Sequence, residues 1–336
     1  MFQDQKAIVR ALYADMKGAT PETIGDVLAA HTTPDWHWRG MHPFYEQHGA
    51  SDVTRVFWGP LLGSLTRLQR REDIFFAGEN TVGDGVWVVS MGHFMGLFDM
   101  VWLGIRPSHK ITMLRYCEFN RVKNGKIAET MLHIDIPHLM AQAGQNPFPP
   151  QTAAQLVQPG PMTHDGLLHD AQPVAEGEAT LAAINAMIGD LGTWQLGLPL
   201  EEELARTWHD DMIWWGPTGI GAAYTIERYA KQHSGPFRAA FYDRSSTGHV
   251  ARLAEGHYGG FFGWPNFTAK LHGGFMGMPG TDKDCEFRVI DIYRREGDKL
   301  AENWVFIDLL YWLMQLGDDV LARMAGIAGT EYSPPV

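Results

Sequence analysis

Apolar residues recur at helical spacing in two separated places: Ile8, Val9 and Leu12 within residues 5–17, and Leu181, Ile184 and Ile188 within 178–191. This period of 3.6 predicts a helix opening each half of the chain. Thr20-Pro21-Glu22-Thr23 reads as a second helix start, with Thr20 as N-cap and Pro21 in the first turn. A third helix is predicted over roughly 50–58, with a counterpart over 222–233. The period then changes to two. Residues 110–122 and 126–135 alternate around Lys123-Asn124-Gly125, and 286–295 and 299–308 alternate around Glu296-Gly297-Asp298. Each pair predicts two adjacent strands joined by a hairpin. The layout is α+β: a curved antiparallel sheet with helices packed on its concave side, closed into a cone with one open mouth.

The chain repeats itself. Residues 110–144 align without a gap on 283–317, so that Arg115, Arg121, Lys126, Glu129 and Asp135 meet Arg288, Arg294, Lys299, Glu302 and Asp308. Upstream, Trp38 and Gly40 meet Trp214 and Gly216, and Gly59-Pro60 meets Gly235-Pro236. Gly92-His93-Phe94 is matched with Gly256-His257-Tyr258. The common order implies a duplicated unit. The predicted boundaries are 1–145 for the first domain, 146–173 for a linker and 174–330 for the second domain. Six prolines (147, 149, 150, 159, 161 and 173) block helix through the linker, and Phe148, Leu156, Leu167 and Leu168 tie it to a domain surface. A tandem of this kind implies an intramolecular pseudo-dimer and leaves further self-association open.

Composition narrows the partners. The 336 residues are 45% hydrophobic and 12% aromatic, which excludes a disordered chain. Net charge is −12, from 27 basic and 39 acidic residues, so a nucleic acid partner is not expected. No apolar run is long enough to span a bilayer. Two cysteines, Cys117 and Cys285, and no signal-like apolar segment at the start point to a cytoplasmic protein. There is no GxGxxG after a strand, no phosphate-binding loop, no GxSxG and no HExxH.

The candidate chemistry lies in polar residues among apolar ones. Asp135 and Asp308 each end an apolar strand, where a charge is costly unless it is paired or faces a wet pocket. In a pocket such a carboxyl is a proton carrier; at the start of the following helix it is an N-cap. His93 and His257 are candidate acids, bases or oxyanion donors, or hydrogen-bonded structure. Arg115 and Arg288 can hold an enolate or carboxylate, or pair with Glu129 and Glu302. Residues two apart share a strand face, which groups Trp304 with Asp308 and His133 with Asp135. His133 and Asp135 lack a third ligand at metal-binding spacing, so no metal is expected. Trp38 and Trp214 complete the apolar walls, or simply fill the core.

The pattern carried by Arg288, Asp291, Arg294, Lys299, Glu302, Trp304, Asp308, Leu310, Gln315, Leu316 and Gly317 resembles the SnoaL-like polyketide cyclases of the nuclear transport factor 2-like superfamily. The resemblance covers both units. The first unit departs from it, with Met131 in place of Trp and Ile136-Pro137 in place of Leu-Leu. It implies a cone-shaped fold and cofactor-free, aldol-like chemistry on an apolar, carbonyl-rich small molecule. By position, Asp308 and Asp135 become the acid/base groups, assisted by His257 or Asn303. Three readings follow: a cyclase or lyase, a non-catalytic binder of a hydrophobic ligand, and a cofactor-free isomerase or hydrolase in which the first domain is scaffold.

Overall fold

The computed structural model describes residues 1–193 and 197–335. The first half runs α1 (Gln3–Met16), α2 (Ile24–His31), β1 (Thr32–Gly40), β2 (Tyr45–His48), α3 (Gly49–Val53) and α4 (Gly59–Ser64). It continues with β3 (Leu65–Glu79), β4 (Val86–Phe98), β5 (Ile111–Lys123), β6 (Lys126–Ile134) and α5 (Ile136–Gln142). The second half opens with α6 (Val174–Thr193), α7 (Leu200–Leu204), β7 (Trp208–Trp215), β8 (Ala222–Tyr224), α8 (Ile226–Tyr229) and α9 (Gly235–Ala240). Its later strands are β9 (Phe241–Ser246), β10 (Ala251–Glu255), β11 (Tyr258–Phe262), β12 (Phe267–Gly273), β13 (Pro279–Phe287), β14 (Val289–Glu296) and β15 (Lys299–Ile307). Helices α10 (Leu309–Gln315) and α11 (Val320–Ala328) end it.

The two halves share one topology. Sheet order is β2-β1-β6-β5-β4-β3 in the first and β8-β7-β15-β14-β11-β10 in the second, antiparallel except for the parallel pairs β1·β6 and β7·β15. Asn124 and Gly125, at φ 52° and 77°, make the predicted turn between β5 and β6. The second sheet is broken where the first is continuous, and its distal strands form a separate sheet, β13-β12-β9. Asn266 holds that break together: its side-chain oxygen accepts from Val289 N (2.7 Å) and from Gly263 N (3.1 Å), which also reaches Val289 O at 3.4 Å.

Local chemistry corrects two predicted helix ends. Thr20 does not cap; α2 begins at Ile24 after a turn. The helix predicted from 222 begins at Ile226, because 222–224 are strand. Between α3 and α4, and again between α8 and α9, lies one π turn, Thr54–Trp58 and Ala230–Ser234. The wide turn bonds Gly59 N to Thr54 O and Gly235 N to Ala230 O. A Cβ at these glycines would stand 2.9 and 2.7 Å from those carbonyl oxygens, which explains the repeated Gly-Pro.

Each sheet is buried on both faces. The concave face meets the unit's own helices. The outer face meets the other unit: Phe76, Trp87, Met91 and Phe119 pack with Leu253, Phe262, Ile292 and Trp304. Trp87 and Phe119 stand 5.4 and 5.1 Å from Phe262, ring centre to ring centre. A buried ion pair, Lys6 Nζ to Glu255 Oε1 at 2.7 Å, crosses the same boundary. The segment 146–173 follows both halves, with Leu167 bridging Phe75 and Ala154 bridging Ala222. Among the described residues, no helix is long and apolar enough to cross a membrane.

Candidate functional site

The alternation of β14 and β15 decides what the second cone contains. Val289, Asp291 and Tyr293 point inward from β14, and Asn303, Val305 and Ile307 from β15. With Trp214, Tyr229, His233 and Phe261 they line a cavity of about 220 Å³. Trp214 stacks on His233 with ring centres 3.9 Å apart, so the π turn supplies part of the wall. Asn303 Nδ2 donates to Asp291 Oδ1 (3.2 Å) and to Ile292 O (3.1 Å). Burial pushes the Asp291 carboxyl up to about 6, while hydrogen bonds from Asn303 and Tyr293 hold it back from rising further. Burial also pushes the Tyr229 and Tyr293 hydroxyls up, so both remain neutral donors across the physiological range. At the rim, Arg238 is paired with Glu203 (2.6 and 3.1 Å), and Arg244 donates to Leu191 O at 2.9 Å.

The first cone holds the counterpart carboxylate, Glu118, 173 residues earlier. Its surroundings are different. Arg70 Nη1 donates to Glu118 at 2.9 Å, and the Tyr13 hydroxyl donates to the same oxygen. Asn120 donates to Tyr13 (3.1 Å), Thr130 to Asn120 (2.7 Å) and Trp36 to Thr130 (2.9 Å), completing a closed network. The strand registers put Ser246 where the first half has Arg70: Arg70 pairs with Phe94 and Phe94 with Leu114, as Ser246 pairs with Phe267 and Phe267 with Phe287. With serine there, the groups that bond Asp291 are Asn303 and Tyr293, while Arg238 and Arg244 line the same cavity.

The SnoaL-like polyketide cyclase family model matches residues 60–143 and, again, 263–316. Each half carries a SnoaL-like segment. Solved structures similar to this chain include nuclear transport factor 2-like proteins of Burkholderia thailandensis E264 and Burkholderia xenovorans LB400. The first is 22% identical, covering 42% of this chain and 96% of that one with a TM-score of 0.32. The second is 13% identical, covering 42% and 98% with a TM-score of 0.33. IdmH of Streptomyces antibioticus, described as a candidate polyketide cyclase, is 20% identical over 41% of this chain and 99% of its own, with a TM-score of 0.34. No curated protein matches the chain.

Most of the expected site residues are differently placed. Asp308 and Asp135 turn away from the cones and reach across to the other unit. Asp308 accepts from Tyr311 N (3.2 Å) as the α10 cap and from His42 N (2.8 Å) of the first half. Asp135 accepts from His138 N (3.1 Å) as the α5 cap and from Thr218 N (3.0 Å) of the second half. His133 lies between the sheets, 5.8 Å from Phe306, with burial pulling it down to about 3 and neither ring nitrogen bonded. Trp304 is also on the outer face, donating to Pro159 O at 3.1 Å. Arg115 does not pair with Glu129; it donates to Val305 O and Trp215 O, both at 3.1 Å. Arg288 is sandwiched 3.8 Å from both Trp264 and Tyr311. Glu129 and Glu302 pair instead with Arg39 and Arg121, and with Arg294.

The histidines are corrected too. His93 is on the outer face of β4, 3.3 Å from Asp73, and His257 is exposed in the β10–β11 turn, 3.7 Å from Glu176. They are not equivalent. Tyr258 pairs with Arg294 as Trp87 pairs with Arg121, so the shared Gly-His is a coincidence of sequence. Of the expected residues, Trp214 and Asn303 line the second cavity, and Trp38 fills the first cone against Phe44 and Phe57. The sequence reading overlooked Asp291, Tyr293 and Tyr229. The signal was available: Asp291 and Glu118 are acids at one repeat position, mid-strand, where a charge needs a reason.

Proposed function

We propose that the second half is a cofactor-independent enzyme of cyclase or lyase type, with Asp291 as its acid/base group and the first half as scaffold. The substrate is an apolar molecule carrying an acidic methylene between two carbonyls. The observation that carries this reading is a fully buried carboxyl, pushed up to about 6, that lines a cavity rich in aromatic side chains beside neutral tyrosine and amide donors. A pKa near the working pH balances the ionised fraction against proton affinity. The Asp291 carboxylate takes the methylene proton, and the negative charge passes to an enolate oxygen within reach of Tyr229 or Tyr293. The enolate carbon then attacks a second carbonyl of the same molecule. The resulting alkoxide recovers the proton from Asp291, so one C–C bond forms and no cofactor is consumed. The aromatic walls fold the chain into a reactive conformer.

The test needs no natural substrate. An aryl β-ketoester incubated with the protein in deuterium oxide exchanges its methylene protons, which NMR counts. The wild type is expected to accelerate exchange above the buffer rate, and Asp291→Asn to abolish that acceleration while keeping the fold by circular dichroism. Unchanged exchange in the variant overturns the assignment of Asp291. Because both terminal-strand aspartates serve as caps, a pure binding role is the second reading; it predicts tight uptake of the ketoester with exchange no faster than in buffer.

A further inference from the structure

The first half holds a second cavity, about 460 Å³, that the proposed reaction does not use. The end of α1 borders it, with Arg10 and Tyr13 on one helix face and Lys17 just past the last turn. Trp58, Leu68 and Phe94 supply apolar walls opposite. At its inner end lies Arg70, whose guanidinium sits 3.7 Å over the Tyr13 ring and within 5.0 Å of Phe94 and Tyr116. One edge of that guanidinium is spent on Glu118; the other, Nη2, is buried and has no hydrogen-bond partner. Glu72, the one carboxylate in the lining, accepts from Ser90 at 3.0 Å. Arg10 and Lys17 are exposed at the rim and make no salt bridge among the described residues. Three cations therefore face a space with one acid, although the whole chain carries −12.

We propose that the first-half cavity is a binding site for a flat aromatic carboxylate, with the carboxylate on Arg70 and the ring system between Trp58, Leu68 and Phe94. Glu118 is committed to Arg70 and Tyr13, so this site binds without turning its ligand over. A planar anion suits the free edge of a guanidinium better than a point acceptor does. The rim cations draw the anion in and make its capture salt-dependent. This site is independent of the Asp291 chemistry.

Calorimetry on the full chain with 2-naphthoate and its neutral analogue 2-naphthalenemethanol tests it. Naphthoate is expected to bind at least about tenfold more tightly, a margin of roughly 1.4 kcal/mol. Arg70→Lys keeps a charge for Glu118 but removes the fork, and is expected to erase the preference for the acid. Because Arg70 is buried in an ion pair, the exposed double variant Arg10→Ala/Lys17→Ala gives a fold-independent check, with naphthoate affinity falling several-fold. Leu68→Trp should fill the space and abolish binding, and Asp291→Asn should leave it unchanged. Equal affinity for acid and alcohol overturns the proposal. So does no binding of either, or naphthoate binding indifferent to Leu68→Trp.

Discussion

Whether a buried carboxyl serves as a proton carrier depends on its neighbours more than on its depth. Glu118 and Asp291 occupy one repeat position, but Glu118 is held by Arg70 and the Tyr13 hydroxyl, whereas Asp291 has Asn303 and Tyr293, with Ser246 at the position of Arg70. An Asp held at about 6 has a consequence for stability. Unfolded, it titrates near 3.8, so between about 4 and 6 the native state keeps a proton that the unfolded chain has released. For this group stability is highest below that window and declines as pH rises through it. Asp291→Asn removes the penalty. The variant is expected to gain roughly 1–3 kcal/mol over wild type at pH 7.5 and nothing at pH 4, measured by denaturant unfolding at both. A loss at pH 7.5 would show that the carboxylate contributes more to packing than its desolvation costs. The Asn303 bond works the other way, favouring the ionised form. Asn303→Leu should therefore move the midpoint of a pH–exchange profile upward.

At the level of strands and helices, period two was readable in the sequence, but which face looks into the cone was not. A sheet with one wet face betrays its orientation through polar residues on that face. Here the outer face of β15 carries Glu302, Trp304 and Phe306 and the inner face Asn303, Val305 and Ile307, and neither is solvated. The bulk of Trp304 and the acid at Asp308 favoured the outer set as pocket, because the implied pseudo-dimer did not say which sheet face it would cover. Repeats and hairpin turns come from local rules and were legible, and the tandem implied a pseudo-dimer; which residues of the two sheets meet is non-local and was not. Asp308 illustrates the cost of that blindness, since its role is now structural. Asp308→Ala removes the α10 cap and orphans the buried His42 amide, together about 2–4 kcal/mol. Burial pushes the Asp308 carboxyl up to about 6, so Asp308→Asn keeps an acceptor oxygen and removes a desolvation cost, and at pH 7.5 it should leave stability unchanged or raise it by about 1 kcal/mol in the same unfolding measurement. Near-equal losses would mean that charge, not hydrogen bonding, holds the contact.

The molecule as a whole behaves as a covalent dimer of unlike units. In each half an aspartate accepts from a loop amide of the other, Asp135 from Thr218 N and Asp308 from His42 N, and the offset between those loop residues matches that between Trp38 and Trp214. A face built to be covered cannot be left bare. Residues 174–336 expressed alone would expose Leu253, Phe262, Ile292, Trp304 and Phe306 together and strip Lys6 from the buried Glu255. A contiguous apolar face of that kind drives association. The isolated half is therefore expected to elute as a dimer or larger species in light-scattering chromatography, and co-expression with 1–173 to restore a one-to-one complex with ketoester exchange. A monodisperse, folded monomer of 174–336 would mean that the outer sheet face tolerates water. The reciprocal aspartate bonds would then be consequences of tethering two self-sufficient units, and the first half would have to be explained by its own cavity instead of as cover for the second.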